Sequence, residues 1–178
     1  MKRYFPWLMV GALLMVVLTA ACGGGNEEPS PTPTVTPTPT PAVPPFSFEG
    51  PVGIDLTTYG VFYKQGEQVR LTILVAASEP VTLYYRTAQR YDIVVTDSED
   101  KEVWRWSKDK SFSQELEQVS LQANEWLTFE ELWDQRDNDG QPVPTGNYTV
   151  TVTSAYCDAD LQECDQLSVS ATLQIRAS

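Results

Sequence analysis

Near its C-terminal end the chain alternates apolar and polar residues so strictly that little choice of backbone remains. In NYTVTVTSAY (147–156), Tyr148, Val150 and Val152 fall on one side and Thr149, Thr151 and Thr153 on the other. In LSVSATLQI (167–175), Leu167, Val169, Ala171, Leu173 and Ile175 oppose two serines, a threonine and a glutamine. A period of two puts successive side chains on opposite faces of an extended strand, so both segments read as strands with one buried face. Shorter runs behave alike: RLTILVA groups Leu71, Ile73 and Val75; VTLYY groups Val81, Leu83 and Tyr85; YDIVVTD groups Tyr91, Ile93 and Val95; WLTFEELW groups Leu127, Phe129 and Trp133. The turn formers KQGE, SEP, DSED, QAN, DNDG and PTG separate these runs. One segment, KSFSQELEQVSL (110–121), spaces Phe112, Leu116 and Val119 roughly as a helix would, and one helical turn is expected there. Seven to eight short strands at this spacing, with no internal repeat, predict an all-β fold over residues 46–178. The expected form is an antiparallel immunoglobulin-like β-sandwich.

The N-terminal part is different in kind. Lys2 and Arg3 precede an apolar run from Trp7 to Ala21, which is too short for the ~20 residues of a spanning helix. Small residues and a cysteine follow, the layout of a secretory signal over residues 1–21. The ending LTAAC resembles a bacterial lipobox, which implies that Cys22 becomes a lipidated N-terminus; Thr19 stands where leucine is usual, with Leu18 beside it. Residues 22–45 then form a linker in which proline and threonine alternate. Proline supplies no N–H and restricts the residue before it, so this segment is expected to stay extended. Residues 26–45 in polyproline II would span roughly 60 Å. The expectation is an exported domain held away from a membrane by acyl chains and a spacer, facing outside the cytoplasm.

Charge and residue usage remove several functions. With 24 acidic and 12 basic side chains, the net charge of -12 opposes nucleic-acid binding, which depends on neutralising phosphates. No histidine occurs, which excludes Ser-His-Asp and Cys-His catalysis and histidine-containing zinc sites. No pair of acids is singled out for hydrolysis; Glu130 and Glu131 are adjacent on a strand and point to opposite faces. No enzyme activity and no cofactor is expected. Cys157 and Cys164 flank the polar loop DADLQE at the junction of two strands, and export makes a disulfide the expected state. Two acidic loops, WDQRDNDG and the loop between the cysteines, invite a calcium reading. Gln135 stands where a first ligand would be needed, no glutamate follows at the right distance, and Asn-Asp-Gly forms turns unaided, so no metal is expected.

The stretch WRWSKDKSF (104–112) carries the remaining signal. Trp104 and Trp106 would share one strand face and Val103 and Arg105 the other, with core packing preferred over an exposed aromatic platform. Taken with RYDIVVTDSEDKEV before it and QELEQVSLQANEWLTFEELWD after it, the stretch resembles the intracellular proteinase inhibitor, or BsuPI-like, family. The matching residues are Arg90, Tyr91, Asp92, Val103 to Ser107, Phe112, Gln114, Leu121, Glu125, Phe129, Trp133, Pro144, Gly146 and Tyr148. Asp100 and Asn124 occupy turn positions where the family usually has glycine. WDQRDNDGQPVPTGNYTV separately resembles a turn-strand element of bacterial immunoglobulin-like modules, such as those of flagellar hook-capping proteins. The family resemblance implies a protein-binding role with a serine protease as partner, and the basic turn Lys108, Asp109 and Lys110 is the candidate contact. The alternative is a non-inhibitory module of the cell envelope that binds another envelope protein or a polysaccharide.

Overall fold

The computed structural model describes Phe48 and residues 50–178. The expected signal peptide, Cys22 and the proline-threonine linker lie outside the described residues. Ten strands follow in order: β1 (Val52–Thr58), β2 (Phe62–Lys64), β3 (Val69–Ala77), β4 (Val81–Tyr85), β5 (Asp92–Thr96), β6 (Glu102–Arg105), β7 (Glu117–Leu121), β8 (Trp126–Trp133), β9 (Gly146–Cys157) and β10 (Cys164–Arg176). No helix occurs among the described residues, so the fold is all-β. The helical turn expected within 110–121 is replaced by β7, which pairs with β4 from Val81↔Leu121 to Tyr85↔Glu117. Leu116 is exposed while Val119 packs on the core, because pairing with β4 makes period two, not 3.6, decide which side chains turn inward. The strand number exceeds the expected seven to eight because β1, the three-residue β2 and β7 lie outside the alternating runs picked out above.

Two sheets face each other. One is antiparallel in the order β1-β3-β8; the other runs β2-β10-β9-β4-β7, with β5 also on β9 and β6 on β5. The long β9 is shared along one edge, meeting β4 at Tyr84↔Cys157 and β5 from Asp92↔Thr153 to Thr96↔Thr149. Along its other edge it pairs with β10 throughout, from Cys164↔Cys157 to Ile175↔Gly146. The first two strands divide between the sheets: β1 pairs antiparallel with β3, and after Tyr59-Gly60-Val61 the chain crosses to run parallel to β10 as β2. The Gln174 N–H donates to the Val61 carbonyl at 2.8 Å just ahead of that pairing.

Most of the inward residues are those named by the alternation, with Leu121 and Tyr156 added to them. Leu71, Ile73, Ile93, Val95, Val150, Val152 and Ile175 are buried in one cluster, and Val75, Leu83, Tyr85, Leu121 and Tyr156 in a second. Burying each aliphatic side chain contributes roughly 1.5–3 kcal/mol, so period-two burial outweighs any local preference of the chain. Trp133 closes the first cluster with no exposed surface, its Nε1 donating to the Arg136 carbonyl at 2.9 Å and its ring edge-on to Tyr148 at 5.7 Å. The Tyr148 hydroxyl donates back to the Pro144 carbonyl at 2.7 Å, a tyrosine corner of the immunoglobulin kind. Both clusters and the Cys157–Cys164 disulfide lie between Val52 and Ile175.

Candidate functional site

β6 leads directly into the turn that holds Lys108, Asp109 and Lys110. The Trp106 N–H donates to the Ile93 carbonyl at 2.9 Å, and Lys108 and Lys110 N–H groups donate back to the Arg105 and Ser107 carbonyls. The loop after β8 secures the other side. Asn138 imitates a paired strand residue: its N–H donates to the Val103 carbonyl, its Oδ1 accepts the Arg105 N–H, and its Nδ2 donates to Glu102 Oε1. Thus the outer edge of β6, which would otherwise be open to pairing, is covered. The Asp137 carboxylate shapes this loop by accepting the Asp139 and Gln141 N–H groups at 2.9 and 2.8 Å. The acids of WDQRDNDG therefore have work in the turn.

Within the turn the two lysines are both engaged. Lys108 Nζ donates to the Asn138 carbonyl at 2.7 Å and lies 3.8 Å from Asp139 Oδ1. Lys110 Nζ sits 3.6 Å above the Trp106 ring, a cation–π contact. Asp109 is exposed at the apex between them. Trp106 also lies against Tyr91 at 4.6 Å and Phe112 at 5.6 Å, and Trp104 against Trp133 at 6.2 Å. Both tryptophans are half-buried on the main core cluster, as the packing reading expects. Val103, expected on the opposite face, is half-buried on that cluster too. A register shift between β5 and β6 at Val95/Thr96 supplies the reason, since a bulge twists the strand and breaks strict alternation.

A groove of ≈ 440 Å³ separates the turn from the end of β8. Glu131 reaches it from the inward-facing parity of β8 and accepts the Tyr91 hydroxyl at 2.6 Å, while Glu130 on the opposite face is exposed. Burial first, and the adjacent Glu131 second, push the Tyr91 phenol far above its ordinary range, so it remains a donor. On the outer side of β6, Arg105 bonds Asp92 at 2.6 Å and Glu102 at 2.7 Å. The hydrogen bond from Arg105 holds the Glu102 carboxyl below its ordinary value. The Tyr91–Glu131 bond and the bracing by Asn138 escaped the sequence reading. Equal parity of Phe129, Glu131 and Trp133 was the one available signal for the first; a strong turn former masked the second.

Elsewhere, Cys157 and Cys164 form the expected disulfide, joining facing residues at the loop end of the β9–β10 hairpin with Cα atoms 3.9 Å apart. This bridge is separate in sequence and strand from the basic turn. Among the described residues no cluster of three or more metal-ligating side chains is present.

Two facing sheets, first and second strands that pair in different sheets, and a tyrosine corner define an immunoglobulin-type sandwich, here carrying a braced basic turn at the end of β6. Residues 56–157 match the family described as intracellular proteinase inhibitor, BsuPI, and the chain belongs to that family. No curated protein matches it. Among solved structures, the C-terminal domain of wzt is similar at 12% identity over 73% of this chain and 76% of that one, with a TM-score of 0.44. Spo0M, a sporulation control protein from Bacillus subtilis, is similar at 17% identity over 72% and 51%, with a TM-score of 0.41. The Pseudomonas fluorescens alkylpurine DNA glycosylase AlkC is similar at 17% identity and a TM-score of 0.41, over 71% of this chain and 31% of the glycosylase. None of these three likenesses bears on function.

Proposed function

We propose that this protein is an exported, lipid-anchored binding module with proteinase-inhibitor character, tethered through Cys22 and acting on a serine protease through the turn at Lys108–Lys110. The single observation that carries the inhibitory reading is membership of the proteinase inhibitor family over residues 56–157. The bracing of the turn supports it, since a contact loop held in one conformation loses little entropy on binding. The test titrates residues 46–178 against subtilisin-like and trypsin-like proteases. Stoichiometric loss of protease activity is expected, weakened at least tenfold by Asp109→Ala. Full protease activity across the panel would overturn inhibition.

The competing reading is a non-inhibitory envelope module that binds protein or polysaccharide. It is favoured by the engagement of both lysine side chains within the molecule, which leaves Asp109 alone free at the apex. Anchorage is tested separately: Cys22→Ser is expected to move the protein from the membrane fraction to the soluble exported fraction. Retention in the membrane fraction would refute the lipid anchor.

A further inference from the structure

The outer edge of β10 is unpaired for most of its length among the described residues. β2 pairs only with Gln174, Ile175 and Arg176, and among the described residues no strand hydrogen-bonds to the outer edge of Cys164–Leu173, although β1 of the facing sheet packs close to β10. Gln174 sends its N–H outward to the Val61 carbonyl, and the β9–β10 register runs without a shift. By strand parity the N–H groups of Thr172, Ser170, Ser168 and Gln166 point the same way, and no partner strand receives them.

The side chains beneath that edge are only partly covered. Leu167, Val169 and Ala171 face inward but are only half-buried, while their register partners Ser154, Val152 and Val150 on β9 are at most 1% exposed. Alongside lies a groove of ≈ 540 Å³ between the edges of the two sheets, with Val52, Ile54, Leu167 and Val169 among its walls. Asp165, next to Tyr156, is its one charged lining residue. The groove is thus a row of backbone donors above a slot of mixed polarity, with apolar walls from Val52, Ile54, Leu167 and Val169 and an acid at one end.

We propose that this edge takes an extended segment of a partner protein, which adds as a strand in line with β2. Small apolar side chains at alternate positions would fill the slot, and a lysine or arginine would lie at the Asp165 end. The chain's own linker is a poor occupant, because residues 26–45 carry proline at 29, 31, 33, 37, 39, 41, 44 and 45 and cannot supply a continuous ladder. A second copy would bring another net charge of -12 against this one. A basic partner strand matches both the edge and the charge, and this surface is independent of the turn assigned to protease contact.

The test selects random ten-residue peptides displayed on phage against residues 46–178. Winning sequences are expected to alternate small apolar residues with polar ones and to carry a basic residue at one end. On adding a winning synthetic peptide, hydrogen exchange at the Gln166, Ser168 and Ser170 amides should slow at least tenfold. Ser168→Pro, which removes an outward donor, should weaken binding at least tenfold with an unchanged melting temperature. Asp165→Lys should reverse the preference from basic-ended to acidic-ended peptides. Unprotected edge amides in the wild type, indifference to Asp165→Lys, failure to select any peptide, or sedimentation showing a dimer that Ser168→Pro dissolves would each overturn the proposal.

Discussion

Asp100, Asn124, Gln135 and Leu161 all stand at positive φ, at 58°, 65°, 59° and 57°. Asp100 and Asn124 occupy turns where the family resemblance leads one to expect glycine, and the backbone adopts the conformation that glycine would take freely. Leu161, without the tolerance of Asp or Asn, bears more strain, so Leu161→Gly is expected to raise stability by about 1 kcal/mol and Asp100→Gly by about half that. Thermal melting of the two variants checks both the sign and the order. Gln135 repays its strained backbone differently. Its buried side-chain amide accepts the Gly66 N–H at 2.8 Å and donates to the Lys64 carbonyl at 2.9 Å, clamping the β2–β3 turn to the loop after β8. Gln135→Ala leaves both backbone groups without these partners and should cost about 2–3 kcal/mol, measured by urea unfolding. In sequence Gln135 registers only as a residue unsuited to calcium; its true role depends on Lys64 and Gly66, some seventy residues away.

At the scale of elements, the strands with strict alternation were legible and those without it were not. β9 and β10 present to the core the residues their period names, because one buried face per strand is a local rule with a large energetic consequence. β7 misled because its spacing suits two periods, and only pairing with β4 decides between them. The β9–β10 hairpin ends in the disulfide, and the enclosed loop is held further by Asp158, whose Oδ1 accepts the Gln162 N–H at 3.1 Å. Replacing both cysteines by serine should cost about 2.5 kcal/mol, as expected for a closed loop this short. Hydrogen exchange should show the loss concentrated at Tyr156–Asp165, with the Gly146–Tyr148 end still protected.

Among the described residues, five tyrosines spread across the sandwich, Tyr63, Tyr85, Tyr91, Tyr148 and Tyr156, have phenol pKa values raised, in each case chiefly by burial. Tyr156 is pushed up to about 12, with the adjacent Asp165 adding to the effect. Since the folded values lie above the ordinary 10, the unfolded chain releases these protons first. The stability associated with them is complete below pH 10 and is lost as pH rises through the folded values. Melting temperature should therefore be flat from pH 8 to about 9.5 and fall steeply beyond it. Tyr156→Phe should soften that fall; an unchanged alkaline slope would mean that its proton is not linked to folding.

From sequence come the all-β class, the inward residues of the regular strands, the cysteine pair and the family. Each depends on local periodicity or on short motifs read along the chain. Tertiary structure alone decides that Asn138 braces β6, that Lys110 covers Trp106, that Glu131 meets Tyr91 and that the outer edge of β10 stays largely unpaired. These are contacts, or missing contacts, between segments separated by tens of residues. No period within one strand reports what lies beside it, because pairing at a sheet edge and charge placement in a groove depend on which elements the fold brings together.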